Sequence, residues 1–314
     1  MVGRWWLAAL SAVTFLALAV VSGCMRGGFS ALFAWPFVLS ALATASLYLL
    51  AHVMRAVRLA VIAMPLLGLS FRTSFYLHFF VAPWSLVMPW KLDEFIRLYE
   101  IHRAGKSWSR GVVALVIDRS MDGIVLVALA LLLFFAGRAE LATFMAIVGV
   151  GLIVVIATLF TLPVLLEAAQ RYIFANHGRD IAIWLLRVVN YLRLMLLSGR
   201  DTIGATWPFL MIMTVGIWTV EWAAVCALFP DLLLASHSPI GTLELMLSRT
   251  DQSWRMLLST APRTTPVALL TFCFFGVLLL VWGPATMLYM RRRWFEPSRT
   301  RQLNARFARL REGR

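Results

Sequence analysis

Long apolar runs, rather than alternating polar and apolar positions, dominate the hydrophobic pattern of this chain. Each run approaches or exceeds the roughly 20 residues that an α-helix needs to cross the hydrocarbon core of a bilayer. The pattern therefore predicts an all-α integral membrane protein, a polytopic helical bundle with about six full spans. The predicted spans are residues 5–24, 32–54, 111–136, 141–166, 203–229 and 267–290.

One further apolar segment, residues 73–90, is shorter than these spans and is interrupted by Pro83 and Pro89. Basic residues lie on both sides of it, and such residues favour the cytoplasmic side of a membrane. A segment with both ends on one side must enter and leave there. We therefore predict a re-entrant hairpin, whose irregular backbone is buried in protein or lines a wet cavity. The alternative is a full span, which would place much of the positive charge outside. The flanking basic residues are Arg55, Arg58 and Arg72 before the segment, and Lys91, Arg97, Arg103, Lys106 and Arg110 after it.

A second broken segment is predicted at about residues 230–260, entering from the opposite side. This connection is semi-apolar and too long for a simple turn, and its corner from Pro239 to Glu244 resembles the corner from Pro89 to Glu94. Broken segments in corresponding halves indicate an inverted repeat with a binding site near the membrane midplane. The alternative is that the similarity arises by chance.

Residues 181–197 carry polar side chains at a spacing of three on an otherwise apolar segment: Arg187, Asn190 and Arg193. This spacing suits a separate helix lying in the membrane interface. A cytoplasmic helix packed under the bundle is the alternative.

The composition agrees with a membrane protein and limits what else the chain contains. Hydrophobic residues make up 61% and charged residues 14% of the chain, whereas soluble domains contain about 25% charged residues. We therefore expect one membrane domain, residues 1–290, followed by an Arg-rich cytoplasmic tail, residues 291–314. That tail holds nine Arg and two Glu, a large part of the net charge of +14.

Basic residues beside apolar spans indicate cytoplasmic loops and attraction to anionic lipids, and they do not indicate a nucleic-acid partner. Arginine greatly outnumbers lysine, which is typical of GC-rich bacterial genomes. The predicted location is a bacterial inner membrane, with both termini cytoplasmic.

Signatures of catalysis are absent from the sequence, which contains no HExxH, Walker A or GxSxG motif. The three cysteines, Cys24, Cys226 and Cys273, have no metal-ligand spacing. We therefore expect no metal and no cofactor, and a transporter-like protein rather than an enzyme.

Three charged residues fall inside one predicted span: Asp118, Arg119 and Asp122. A charged residue at a helix centre in a bilayer costs roughly 2.5–3.5 kcal/mol on insertion scales, so such residues usually have partners and a role. The planar guanidinium of Arg119 suits a lipid phosphate, and the two carboxylates are predicted to hold it in position. The alternative is a structural ion-pair cluster that joins two helices.

Further candidate residues lie near this span and in a later one. Glu94 and Arg97 share a face of the helix after Pro89, where Glu94 would brace the hairpin and Arg97 would meet headgroups; a solvated face is the alternative. Glu221 is an acid at membrane depth, interpreted as protonated and hydrogen-bonded, with proton coupling as the alternative. The full set of predicted substrate-binding residues is Pro89, Lys91, Glu94, Arg97, Asp118, Arg119, Asp122, Glu221 and Glu244.

The motif Pro89-x-Lys91-x-x-Glu94-x-x-Arg97, followed by Gly105-x-Ser107 and Asp118-Arg119-x-x-Asp122, resembles the lysylphosphatidylglycerol synthase transmembrane (flippase-like) family. The specific match covers about 40 residues, and the span layout is similar over nearly the whole chain. Two positions depart from the family pattern, since Asp93 stands where Gly is usual and Asp118 where Glu is usual. The change at Asp93 puts the geometry of the hairpin tip in doubt.

The resemblance implies translocation of a polar-headgroup phospholipid or glycolipid between membrane leaflets, because no cytosolic aminoacyl-transfer domain fits after residue 290. The implied partners are membrane lipids with anionic or glycosylated headgroups. Two alternatives stay open. One is a membrane glycosyltransferase that uses a polyprenyl-phosphate sugar, with Asp93 and Glu94 as its acidic pair. The other is a non-catalytic accessory protein that binds a partner in an envelope-lipid or polysaccharide system.

Overall fold

The computed structural model describes residues 35–87, 93–135, 137, 142–176, 180–228, 243, 274, 277–278 and 281–289. All regular secondary structure in this part of the chain is helical. The predicted first span, the Pro89 corner, nearly all of residues 230–260 and the tail 291–314 lie outside the described residues. The helices are α1 (Trp35–Leu67), α2 (Phe71–Val81), α3 (Trp84–Val87), α4 (Asp93–Gly105), α5 (Trp108–Phe135), α6 (Ala142–Asn176) and α7 (Asp180–Leu228).

Three of these helices are long and apolar enough to cross a membrane, judged by length and composition: Leu42–Leu67 in α1, Ala146–Ala175 in α6 and Ile183–Leu228 in α7. The described part of the chain is therefore all-helical, with helices suited to a membrane. The count of six full spans stays a prediction. Helix α5 coincides with the predicted span 111–136 and contains its three charged residues.

Two predicted boundaries are wrong. Helix α1 does not end near Met54 but continues through Arg55 and Arg58 to Leu67. Helix α7 is one continuous helix of 49 residues, so residues 181–197 do not form a separate interfacial helix. The reason in α1 is that both arginines have carboxylate partners on neighbouring helices, as described below. They therefore need not lie at a membrane surface, and the charge argument for a hairpin at residues 73–90 loses two of its three upstream arginines.

A short, well-defined turn joins α1 to the next two helices. Gly68 follows the last residue of α1 with a positive φ of 64°, and its N–H donates to the Met64 carbonyl at 3.0 Å, a common way to end a helix. Ser70 then caps α2 by accepting a hydrogen bond from the Thr73 N–H. Helix α2 has 11 residues and a length of roughly 16 Å, about half the thickness of a bilayer core.

Helices α1, α5 and α7 pack together around a buried apolar cluster that includes Ile62, Ile117 and Leu210. Helix α7 approaches α5 closely at Gly199, where an added Cβ would lie 2.6 Å from a methyl group of Val113. Small residues permit such close crossings in membrane bundles. Helix α2 packs against α1 and α4, and α4 packs against α5, so the charged residues of α4 meet those of α5.

Helix α6 packs against α5 and α7 along one side and leaves a broad apolar face exposed. Only 11% of its spanning window is buried within the protein. A helix that is apolar on its exposed face suits a lipid environment, in which apolar side chains need no protein partner. The exposed residues include Ile147, Val150, Ile153, Val154, Phe160, Val164 and Leu165.

Candidate functional site

The centre of the candidate site is Arg58, a residue that the sequence analysis treated as part of a cytoplasmic flank. It is 1% exposed. Its Nη1 and Nη2 donate to the two carboxylate oxygens of Asp122 at 2.7 and 2.9 Å, and its Nε donates to Asp118 Oδ1 at 2.8 Å. Nη1 also donates to the Thr214 hydroxyl at 3.1 Å. The Asp122 contact is bidentate, which is the strongest form of such pairing.

The helices explain why these groups meet. Asp118 and Asp122 are four residues apart on α5 and so lie on one face of that helix. Arg58 projects from α1 and Thr214 from α7, so this one guanidinium connects three helices. Trp218, one turn after Thr214 on α7, lies with its Nε1 3.4 Å from Asp122 Oδ1.

Arg97 of α4 extends the cluster through Asp118, to whose Oδ2 its Nη1 donates at 3.2 Å. Its side chain is 6% exposed, and its Nε has no hydrogen-bond partner. Burial lowers the pKa of the Arg97 guanidinium and the charge of Arg119 lowers it further, whereas Glu94, Asp118 and Asp93 raise it. An arginine nevertheless keeps its proton at neutral pH, so Arg97 is a buried and only partly paired cation.

Arg119 has a different environment at the edge of the cluster. Its side chain is 39% exposed, with Nε 2.7 Å from Glu94 Oε1 and Nη1 3.4 Å from Asp122 Oδ2. Although Arg119 Nε lies this close to Glu94 Oε1, its N–H is not directed to form a hydrogen bond, because Nε has no hydrogen-bond partner. Arg119 is thus the most exposed and least saturated guanidinium of the cluster.

These contacts form one connected set of six charges, which we call the ion-pair network: Arg58, Arg97, Arg119, Glu94, Asp118 and Asp122. Three guanidiniums balance three carboxylates, so its formal charge is zero. Neutrality is what makes such a cluster tolerable, because an uncompensated charge in a low-dielectric environment costs several kcal/mol. Asp93, at the start of α4, is 1% exposed, and its Oδ1 has no hydrogen-bond partner.

The expected geometry of the site needs one correction. Asp118 and Asp122 were expected to hold Arg119, but their main partner is Arg58. Successive helix residues point about 100° apart, so the side chain of Arg119 cannot share the face of Asp118. Only its longer contact with Asp122, three residues on, agrees with the expectation.

Glu221 lies apart from the network, in a pair of its own. Its Oε2 is 2.5 Å from Arg55 Nη2, and this ion pair joins α7 to α1. Glu221 was interpreted from the sequence as a protonated, hydrogen-bonded acid, and the structure places Arg55 as its partner. Its own side chain is 1% exposed, and that of Arg55 is 18% exposed.

Of the predicted site residues, the structure brings together Glu94, Arg97, Asp118, Arg119 and Asp122. Pro89, Lys91 and Glu244 lie outside the described residues. The sequence analysis missed Arg58, Arg55 and Thr214. A signal for the two arginines was present, because the apolar pattern continues beyond them to Leu67 and so places both inside a helix.

Among the described residues, no group of three or more His, Cys, Asp or Glu side chains is arranged to hold a metal ion. The network therefore presents one partly exposed guanidinium, that of Arg119, within a set of paired charges whose formal sum is zero. Comparisons with protein-family models, with curated proteins and with solved structures found no match. The resemblance to the flippase-like family therefore rests on the motif residues alone.

Proposed function

We propose that the protein binds the anionic headgroup of a membrane lipid at Arg119 and moves that lipid between leaflets, as a flippase or scramblase does. The observation that carries the proposal is the exposure of Arg119, 39% against 1% for Arg58 and 6% for Arg97. It is the guanidinium of the network that a ligand can reach.

The chemistry of Arg119 favours a phosphate-bearing headgroup. A guanidinium presents a planar fork of donors that matches phosphate oxygens bidentately. Because the Nε of Arg119 makes no hydrogen bond to Glu94, a phosphate oxygen would gain a hydrogen bond where the carboxylate supplies charge alone.

Glu94 supplies the reversibility that translocation needs. Its carboxylate lies 2.7 Å from Arg119 and would have to move aside for the headgroup. A site that moves its ligand must bind it well enough to admit it and weakly enough to release it. Competition between Glu94 and the headgroup for the same guanidinium provides such limited affinity.

Exposed aromatic side chains on α4 and at the start of α5 suit contact with lipid. Phe95 and Tyr99 lie four residues apart on α4 and are 69% and 49% exposed, and Trp108 at the start of α5 is 50% exposed. Exposed aromatic side chains of this kind are enriched at membrane interfaces. We infer that acyl chains remain in the bilayer beside α4 while the headgroup reaches Arg119.

The first test is native mass spectrometry of the purified wild-type protein beside Arg119→Ala and Arg171→Ala. Loss of one charge-assisted contact is worth about 1.5–3 kcal/mol, roughly 10–150-fold in affinity. We therefore expect a defined anionic lipid on the wild type and its loss in Arg119→Ala. Arg171 is the matched control, because its side chain is 80% exposed and pairs only within α6 and at its surface.

Reconstitution into vesicles then tests movement rather than binding. Headgroup-labelled phosphatidylglycerol should move between leaflets with the wild type and with Arg171→Ala, and not with Arg119→Ala. Bulk lipid in equal amounts on all three proteins, together with no translocation, would contradict the proposal. That result would favour the alternative of a non-catalytic accessory protein. In such a protein the ion-pair network would serve only to hold the helices together.

A further inference from the structure

Two buried histidines lie beside the ion-pair network and form a pair between α1 and α2. His52 Nδ1 is 3.1 Å from His78 Nε2, and the residues are 4% and 2% exposed. At this distance one ring nitrogen donates a hydrogen to the other, so the bridge holds one proton when both rings are neutral. Sequence analysis had assigned no role to either residue.

The outer nitrogen of His78 gives the pair an unused proton site. His78 Nδ1 is buried and has no hydrogen-bond partner. In one of the two tautomeric arrangements His78 donates from Nε2 to His52 Nδ1 and keeps a lone pair on its own Nδ1, which can receive a further proton. Ser74, four residues earlier on the same face of α2, has a buried hydroxyl that also lacks a partner. This side of α2 therefore offers two polar atoms where water or a proton can be received.

The charges around the pair oppose protonation while the network is empty of ligand. Arg55 on α1, Arg97 on α4 and Arg119 on α5 all act electrostatically on His78. Arg55 is itself paired with Glu221 of α7. The remaining neighbours are aromatic: Tyr48 packs edge-on against His52, and Phe79 contacts both rings. A proton added to the pair would thus be an excess positive charge beside a network that is already neutral.

We propose that the His52–His78 pair takes up one proton from the aqueous phase when an anionic headgroup binds at Arg119. The headgroup adds negative charge to the neutral network and cancels part of the repulsion that the arginines exert on His78. The added proton then compensates the added negative charge. This inference rests on the proposed function. It identifies a proton as the ion whose uptake is coupled to headgroup binding at Arg119.

The coupling has a defined sign because linkage is reciprocal. If the bound headgroup favours protonation of the pair, protonation of the pair favours the headgroup by the same factor. Headgroup affinity therefore rises as pH falls through the range where the pair titrates, and it is lowest where the pair stays neutral. Coupling between two sites typically amounts to roughly 5–150-fold in affinity.

The experiment is calorimetry of dihexanoylphosphatidylglycerol binding to the detergent-solubilised full chain, in two buffers that differ in ionisation enthalpy. The difference in observed heat counts the protons taken up per lipid bound. We expect net uptake of up to one proton by the wild type at pH values below the ordinary histidine value near 6.5, because burial and the neighbouring positive charges lower the pKa of His78. The double variant His52→Gln/His78→Gln keeps hydrogen-bonding side chains but should take up none, and its affinity should no longer rise at low pH.

His102→Gln is the control, because His102 stacks on Trp108 away from the pair and should leave proton uptake unchanged. Lipid binding by the wild type without net proton uptake overturns the coupling and leaves the proposed function standing. Absence of lipid binding overturns the proposed function, and the coupling falls with it. The wild-type measurement needs no variant, so it decides the proposal even where the double variant does not fold.

Discussion

Arg58 and Arg119 belong to one ion-pair network, yet the two guanidiniums have opposite environments. Arg58 is 1% exposed and saturated by Asp118, Asp122 and Thr214. Arg119 is 39% exposed, and its nearest carboxylate, Glu94, holds it without a hydrogen bond. The comparison teaches that membrane depth alone does not make a charge functional. What distinguishes the two is how completely each is paired and whether a ligand can reach it.

Replacing Arg58 should give the largest effect on stability. Arg58→Met removes the partner of two buried carboxylates, and breaking a buried ion pair in this way costs about 3–5 kcal/mol. Thermal unfolding in detergent should show a marked fall in Tm, with loss of monodisperse protein. The comparison variant is Arg119→Met, which should lose much less stability, because Asp122 keeps its pairing with Arg58 and the Glu94 side chain is 21% exposed. An equal fall in Tm for the two variants would contradict the distinction between the fully paired Arg58 and the partly exposed Arg119.

Removing the second ion pair should have an intermediate effect. Glu221→Gln keeps the shape of the side chain but leaves Arg55 without its carboxylate, which lies 2.5 Å away. An unpaired group that is largely buried costs about 1–3 kcal/mol. The measurement is again thermal unfolding, with Glu221→Asp as a control that keeps the charge. If Glu221→Gln has the same Tm as the wild type, Glu221 is protonated, as inferred from the sequence.

The polar contacts between α6 and α7 should give the smallest effect. Glu167 pairs with Arg171 at 2.6 Å and with Arg193 at 2.5 Å, but these side chains are 37%, 80% and 29% exposed. Exposed ion pairs contribute roughly 0.2–1 kcal/mol and are screened by salt. Glu167→Gln should therefore shift Tm only slightly, and the shift should disappear at high salt. A loss as large as that of Arg58→Met would mean that these helix ends are buried in an environment of low dielectric.

Much of the helical architecture was accessible from the sequence. The predicted span 111–136 coincides with helix α5, Trp108–Phe135, although α5 is not among the three described helices that are long and apolar enough to cross a membrane. The errors occur where charge interrupts the apolar pattern. Arg55 and Arg58 were taken to end α1, and the polar stripe at residues 181–197 was taken to separate a helix from α7. In both places the chain continues as a helix, since tertiary partners compensate the charges.

The candidate site was only partly predictable for the same reason. Residues close in sequence, such as Asp118 and Asp122, were assigned to one face correctly, because the helical period places them there. Arg58 was missed because its partners are 60 and 64 residues away in sequence and no periodicity connects them. Likewise, nothing local indicates that His52 and His78 meet.

By itself the sequence determined the helical, membrane-suited character of this protein and the presence of charges inside one of its helices. Length, apolar composition and helical period are local properties, and they act on each segment independently of the others. The pairing of guanidiniums with carboxylates, and so which arginine is buried and fully paired and which is partly exposed, came from the tertiary structure. The pairing of each arginine with its carboxylates depends on the packing of α1, α4, α5 and α7, because electrostatic pairing acts through space and is set by burial and distance rather than by order along the chain.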